Sequence, residues 1–151
     1  MEHIEQLRRE IDEYYTNWFR LNRAYDRWAQ QHGTSDNTVF TLYTISVCGD
    51  CGCTQQHICS ELLLPKQTVS FILSKLEKQG MLLRKEDPQD RRNNLVFLTP
   101  EGKTYAHQLL SALEDAEISA YESMTNAQRK SLLEGYAALT AAIEQSFGVK
   151  K

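Results

Sequence analysis

The 151-residue chain has no apolar run near the roughly 20 residues needed to cross a bilayer. Its opening, MEHIEQLRRE, is polar and mixed in charge and lacks the apolar core of a secretory signal. A cytoplasmic protein with no membrane partner is the expectation. No glycine-rich phosphate loop, Ser-His-Asp order or paired-carboxylate signature occurs, so nothing points to an enzyme and no cofactor is implied. The four histidines (His3, His32, His57 and His107) include no pair one helical turn apart, and each reads as a surface or capping residue rather than a metal ligand. Internal repeats, low-complexity segments and long linkers are absent as well. With 41% hydrophobic and 25% charged residues, the chain belongs with globular rather than disordered sequences.

An excess of positive charge is also missing. The net charge is −3, which by itself argues against a polyanionic partner. The distribution argues the other way. Between Pro65 and Leu95 stand seven Lys or Arg against four acids, a local excess of three positive charges, so the remainder carries a net −6. A basic centre between acidic flanks is an electrostatic footprint for nucleic acid. Within it lies EDPQDRRNNLVFLT, residues 86–99, with five charges in its first seven positions. Pro88 argues against a helix there.

Periodicity supplies the elements. Ile4, Leu7, Ile11, Tyr14, Trp18, Leu21, Tyr25 and Trp28 alternate in steps of three and four, which predicts one long helix ending near Gly33. SDNTVFTLYTISV predicts a second, capped by Ser35 or Asp36, with Val39, Leu42, Tyr43, Ile45 and Val47 mostly inward. CGDCGC breaks it, and Thr54 caps a short third helix. Residues 66–79 predict a fourth, with Val69, Ile72, Leu73 and Leu76 on one face and Gly80 as its stop. MLLRKE and LVFLT read as strands joined by the charged loop 87–94. Thr99 and Pro100 open a fifth helix running to about Met124, and TNAQ, from Thr125, is a capping box opening a sixth.

Two helices joined by a tight turn and followed by a β-hairpin make a winged helix-turn-helix. The block TQQHICSELLLPKQTVSFILSKLEKQGMLLRKEDPQDRRNNLVFLTPEGK resembles the multiple-antibiotic-resistance regulator (MarR) family of bacterial transcription factors. The match lies in a Leu-Glu-x-x-Gly helix end, an Asp-x-x-Asp-x-Arg wing and a Leu-Thr-x-x-Gly exit. It covers residues 36 to about 110 by motif, and the terminal helices by length and placement. The resemblance implies a mainly α fold with a small β-hairpin wing. Residues 36–99 would be the DNA-binding lobe, and 1–32 with 105–148 a helical dimerisation region.

On the fourth helix, Lys66, Gln67, Thr68, Ser70, Phe71, Ser74 and Lys75 form the solvent side, with donors suited to phosphates and base edges. Phe71 stands where many family members carry Arg, so Gln67, Thr68 and Ser70 are the expected base readers. The hairpin tip is narrow enough for a minor groove, where an Arg gains from groove width and charge. The resemblance assigns that contact to Arg92, the holding of its guanidinium to Asp90, and phosphate to Arg91. It also implies an effector crevice where the first, second and fifth helices meet the lobe, with Trp18, Tyr25, Tyr43 and His107 as candidate lining.

Cys48, Cys51, Cys53 and Cys59 fall within twelve residues, as C-x-x-C-x-C-x5-C. Three readings stay open: buried packing residues, a redox pair, or a metal site. Cys51, between two glycines, is the expected exposed thiol. The reading reached is a homodimeric, sequence-specific regulator bound to a pseudo-palindromic double-stranded operator, a repressor released by a small-molecule effector or by thiol oxidation. The alternatives are a cysteine–zinc protein, either a metal-sensing regulator or a structural module indifferent to DNA, and a helical interaction module.

Overall fold

The computed structural model describes residues 2–148. It divides into two compact units, Met1–Leu110 and Ser111–Lys151. The first begins with α1 (Glu2–Gln31), in which only Ala29 is fully buried. Its heptad residues from Ile4 to Leu21 are exposed. Trp18 of that seam clusters with Tyr15 and Phe19: the Tyr15 and Phe19 rings stack, and the Trp18 and Phe19 rings are tilted with centroids 5.2 Å apart.

α2 (Asp36–Cys48) is capped by Ser35, whose Oγ accepts from the Thr38 amide at 3.2 Å. Its buried face differs from the expected one. Val39, Leu42 and Ile45 are inside, but Tyr43 and Val47 are 56% and 70% exposed. Thr41 and Thr44 take the inner arc instead. Their hydroxyls donate to the carbonyls of Asn37 and Phe40 one turn back, at 2.7 and 2.9 Å. A threonine whose hydroxyl is satisfied on its own helix can be buried at little cost, so residue polarity misassigns this face.

A 3-10 turn, Gly49–Cys51, ends the helix. It leads to a strand that the sequence did not disclose, β1 (Cys53–Thr54). β2 (Leu82–Glu86) and β3 (Asn94–Leu98) form the expected hairpin, paired from Leu82↔Leu98 to Glu86↔Asn94. β1 pairs with β3 antiparallel through Cys53↔Val96 and Thr54↔Leu95, giving the sheet order β1-β3-β2. The wing is therefore sewn by its root to the cysteine-rich segment.

α3 (Gln55–Leu62) starts from Thr54, whose Oγ1 accepts from the His57 amide at 3.1 Å. The turn to α4 (Lys66–Lys78) passes through Leu63, left-handed at φ 51° and exposed. α4 buries Val69, Ile72, Leu73 and Leu76, and these share the core with Leu42, Ile45, Ile58, Leu82 and Val96. Each such side chain contributes about 1.5–3 kcal/mol of burial. Gly80, at φ 73°, ends α4 in a Schellman motif: Met81 N donates to Leu76 O at 2.9 Å and Gly80 N to Glu77 O at 3.0 Å. The chain thereby turns straight into β2.

α5 (Pro100–Glu122) opens on Thr99, whose Oγ1 accepts from Gly102 N at 3.0 Å and donates to Gly80 O at 2.7 Å. In the second unit, Thr125 and Gln128 form the expected capping box at the start of α6 (Asn126–Phe147). Arg129 folds back onto the carbonyls of Tyr121 and Met124 and onto Asn126. Leu132, Tyr136, Leu139, Ile143 and Phe147, the stripe of α6, are exposed.

Candidate nucleic-acid interface

α3 and α4 are locked at their entry points, because Gln55 Nε2 donates to Lys66 O at 3.1 Å. The buried face of α4 leaves Lys66, Gln67, Phe71 and Lys75 exposed, with Thr68, Ser70 and Ser74 half-buried between. Phe71 points outward, 71% exposed. It joins Thr68 and Lys75 on one wall of a cleft of about 360 Å³ facing the loop between α1 and α2.

The wing tip is built by its acids. Asp87 Oδ1 accepts from Gln89 N at 2.8 Å, and Asp90 Oδ1 from Arg92 N at 3.1 Å. Asp90 Oδ2 takes the Asn93 side-chain amide at 3.1 Å, and Asn93 O accepts from Asp87 N at 3.0 Å. Asp90 thus fixes the main chain at Arg92 and the side chain of Asn93; both its oxygens face these partners. Arg91 lies 4.0 Å from Glu86, both largely exposed, a pair of little energetic weight.

Between the helix-turn-helix and the wing lies a cleft of about 460 Å³. Lys66 from α4, Arg84 from β2 and Arg92 from the wing line it, together with Gln55, Asn93 and Asn94. No carboxylate is among its lining residues. Sequence reasoning named Lys66 and Arg92 but missed Arg84. Strand alternation was the available signal, since Arg84 lies on the same face of β2 as buried Leu82, toward the helices. Its Nε is 3.3 Å from Glu77 Oε2, outside hydrogen-bonding geometry, and its Nη2 reaches Ser74 Oγ at 3.5 Å. Arg84 therefore bridges the wing and the exposed-to-buried edge of α4.

The cysteines separate into two kinds. Cys51 is exposed, as expected. Cys53 is buried on β1 and Cys48 half-buried at the end of α2. The sulfurs of these two and a ring nitrogen of His57 lie within 4.8 Å of one another. Burial, followed by the hydrogen bond and charge of Cys48 and the charge of Glu61, pushes the Cys53 thiol far above its ordinary range. Cys51 and Cys59 are outside this cluster, while His57, read from sequence as a surface residue, belongs to it.

The candidate effector residues converge less. Trp18 and Tyr43 are exposed, Tyr25 packs on the Phe40 ring at 5.8 Å, and His107 is on the outer side of α5. None of the four lines either cleft described above.

Residues 32–93 match the family model described as MarR family. An HTH-type transcriptional regulator of Bacillus subtilis, YkoM, is 39% identical over 54 residues, which make up 36% of this chain and 35% of that relative. The match therefore spans about a third of the curated relative. Among solved structures, a MarR family regulator of Neisseria meningitidis, NMB1585, superposes with TM-score 0.74 at 29% identity, over 94% of this chain and 99% of that one. MepR of S. aureus in complex with DNA superposes with TM-score 0.72 at 19% identity, over 86% and 94% of the two chains. With the winged helix-turn-helix complete and its hairpin closed by the Asp-x-x-Asp-x-Arg turn, residues 32–93 are similar to the MarR family, and the fold is that of the MarR family regulator NMB1585.

Proposed function

We propose that this chain is a homodimeric transcriptional regulator that binds double-stranded DNA in a sequence-specific manner. The observation that carries the reading is the acid-free cleft between α4 and the wing, lined by Lys66, Arg84 and Arg92. A phosphate backbone is the polyanion this charge and shape accept, with α4 in the major groove and the wing in the minor groove. The likeness in fold to MepR, solved in complex with DNA, supports a DNA partner. Lys66, Gln67, Thr68, Ser70, Ser74 and Lys75 are then the recognition-helix contacts and Arg91 and Arg92 those of the wing, with Asp90 holding the turn at the Arg92 main chain rather than at its guanidinium.

The dimer reading is supported by the exposed heptad of α1 and the exposed stripe of α6, each too apolar to face water along its whole length. A second copy places two recognition helices about one turn of DNA apart, roughly 34–36 Å. Release by an effector or by oxidation of exposed Cys51 would alter that spacing and make the protein a repressor of the genes it sits on.

The test is duplex binding by fluorescence polarisation, using fragments captured from genomic DNA. Arg92→Ala should weaken binding with its fold intact and lower the salt slope by about one charge. Unchanged affinity at moderate salt refutes the interface. Sedimentation should give a dimer for the full chain, and aggregation or loss of the dimer after removal of residues 1–28. A soluble DNA-binding monomer would refute the assembly.

A further inference from the structure

The cluster of Cys48, Cys53 and His57 has no part in the DNA-binding reading. Two adjacent thiols alone would be ordinary packing, since cysteine behaves as a small hydrophobe when buried. Packing does not explain the third member. His57 is an exposed residue on a different element, yet a ring nitrogen lies within 4.8 Å of both sulfurs.

The local fold accounts for the convergence. Gly49 and Gly52, at φ 58° and 76°, reverse the chain between the two cysteines, so residues five apart return to one point. At Gly52 a side chain is excluded twice, by its φ and by the Phe97 ring, which stands 2.5 Å from where a Cβ would lie. The Thr54 cap then holds His57 in the first turn of α3, with a ring nitrogen within 4.8 Å of the Cys53 sulfur.

We propose that Cys48, Cys53 and His57 bind one zinc-class divalent ion as two sulfur ligands and one nitrogen ligand, with the fourth position open to water. A mixed thiolate–imidazole set is a zinc donor set. Tetrahedral zinc, with bonds of about 2.3 Å to sulfur and 2.0–2.1 Å to nitrogen, separates its ligand atoms by roughly 3.5–3.8 Å. Closing from the present spacing takes side-chain rotation of about 1 Å at each donor, within rotamer adjustment. Exposed His57 and half-buried Cys48 give the ion a way in, and the charge of Glu61 reaches the cluster. On binding, each thiol gives up its proton to solvent and the ion joins the end of α2, the root strand of the wing and the first turn of α3.

The experiment uses the reduced, metal-free full chain and cobalt(II) as a spectroscopic probe, read without DNA. One equivalent should produce thiolate-to-cobalt charge transfer and the strong visible bands of a tetrahedral site, both abolished by zinc. His57→Ala and Cys48→Ser should each weaken zinc binding by at least about tenfold, no less than the loss of an outer-shell partner. Cys51→Ser and Cys59→Ser should bind as the parent does. His57 is exposed, so its variant keeps the fold, as circular dichroism would verify. Absence of tetrahedral bands, indifference to His57→Ala, loss of binding in Cys51→Ser, or a Cys48–Cys53 disulfide formed in place of metal uptake would each overturn the proposal.

Discussion

Gly102 has the least room of the glycines, where the start of α5 meets the turn between α4 and β2, and replacing it with alanine tests how rigid that joint is. A Cβ there would lie 1.8 Å from Met81 O and 2.7 Å from Met81 C. Ordinary contact is roughly 3.4 Å or more, so one backbone must move by over an ångström, with no flexible side chain to yield. Met81 O also accepts from Thr99 N at 3.1 Å, and the shift strains or breaks that bond. Overpacking costs about 1–3 kcal/mol and a weakened interior hydrogen bond about 1–3 kcal/mol more. Alanine returns about 1 kcal/mol of helix propensity. The expected net loss is about 3 kcal/mol, read as a lower urea midpoint at unchanged slope. Gly135→Ala is the control: nothing lies within 4 Å of its Cβ, and it is helical and exposed, so a gain of about 0.5–1 kcal/mol is expected. If Gly102→Ala is as stable as the parent or more so, the joint is compliant and the steric account is wrong.

Thr54→Ala removes the cap of α3 and should cost about 1 kcal/mol in denaturant melts, with Thr54→Ser recovering most of it; equal stability of the alanine variant would show that another acceptor serves His57 N. Under native conditions a thiol-alkylating reagent should label Cys51 first and Cys53 last, following exposure, as peptide mass mapping would record. Early labelling of Cys53 would mean that β1 opens far more readily than its pairing with β3 implies.

The elements legible in the sequence were those signalled by local chemistry. The caps at Ser35, Thr54, Thr99 and Thr125 and the stop at Gly80 all act within a few residues, and each stands where its motif put it. What depended on partners far along the chain was not legible. β1 is two residues long and exists only because β3 lies alongside it, so a sequence window sees a glycine-flanked break. The inward turn of Thr41 and Thr44 depends on which arc of α2 meets the core, and polarity points the wrong way. His57 entered the thiol cluster through a chain reversal set by two glycines, a route that ligand-spacing rules for one helix do not cover. Arg84 was recoverable, because period-2 alternation from buried Leu82 carries it to the helix side.

The crowded charges of residues 86–92 become intelligible once their partners are assigned. A hairpin tip of this length has several main-chain amides without strand partners, and each needs an acceptor. Asp87 and Asp90 supply acceptors at Gln89 N and Arg92 N, so these acids shape the loop. Glu86 stands by Arg91 at the outer edge, where solvent weakens the pair. Arg92, held at its backbone, is left to line the cleft with Lys66 and Arg84, and no acid lines it with them. In a chain of net charge −3, the useful quantity is therefore the sign of the groups facing one cleft. On the proposed function, Lys66 and Arg92 are the two cations of the cleft left without a close carboxylate, since Arg84 stands 3.3 Å from Glu77, and repulsion of a phosphate backbone by acids beyond about 10 Å is screened at ordinary ionic strength.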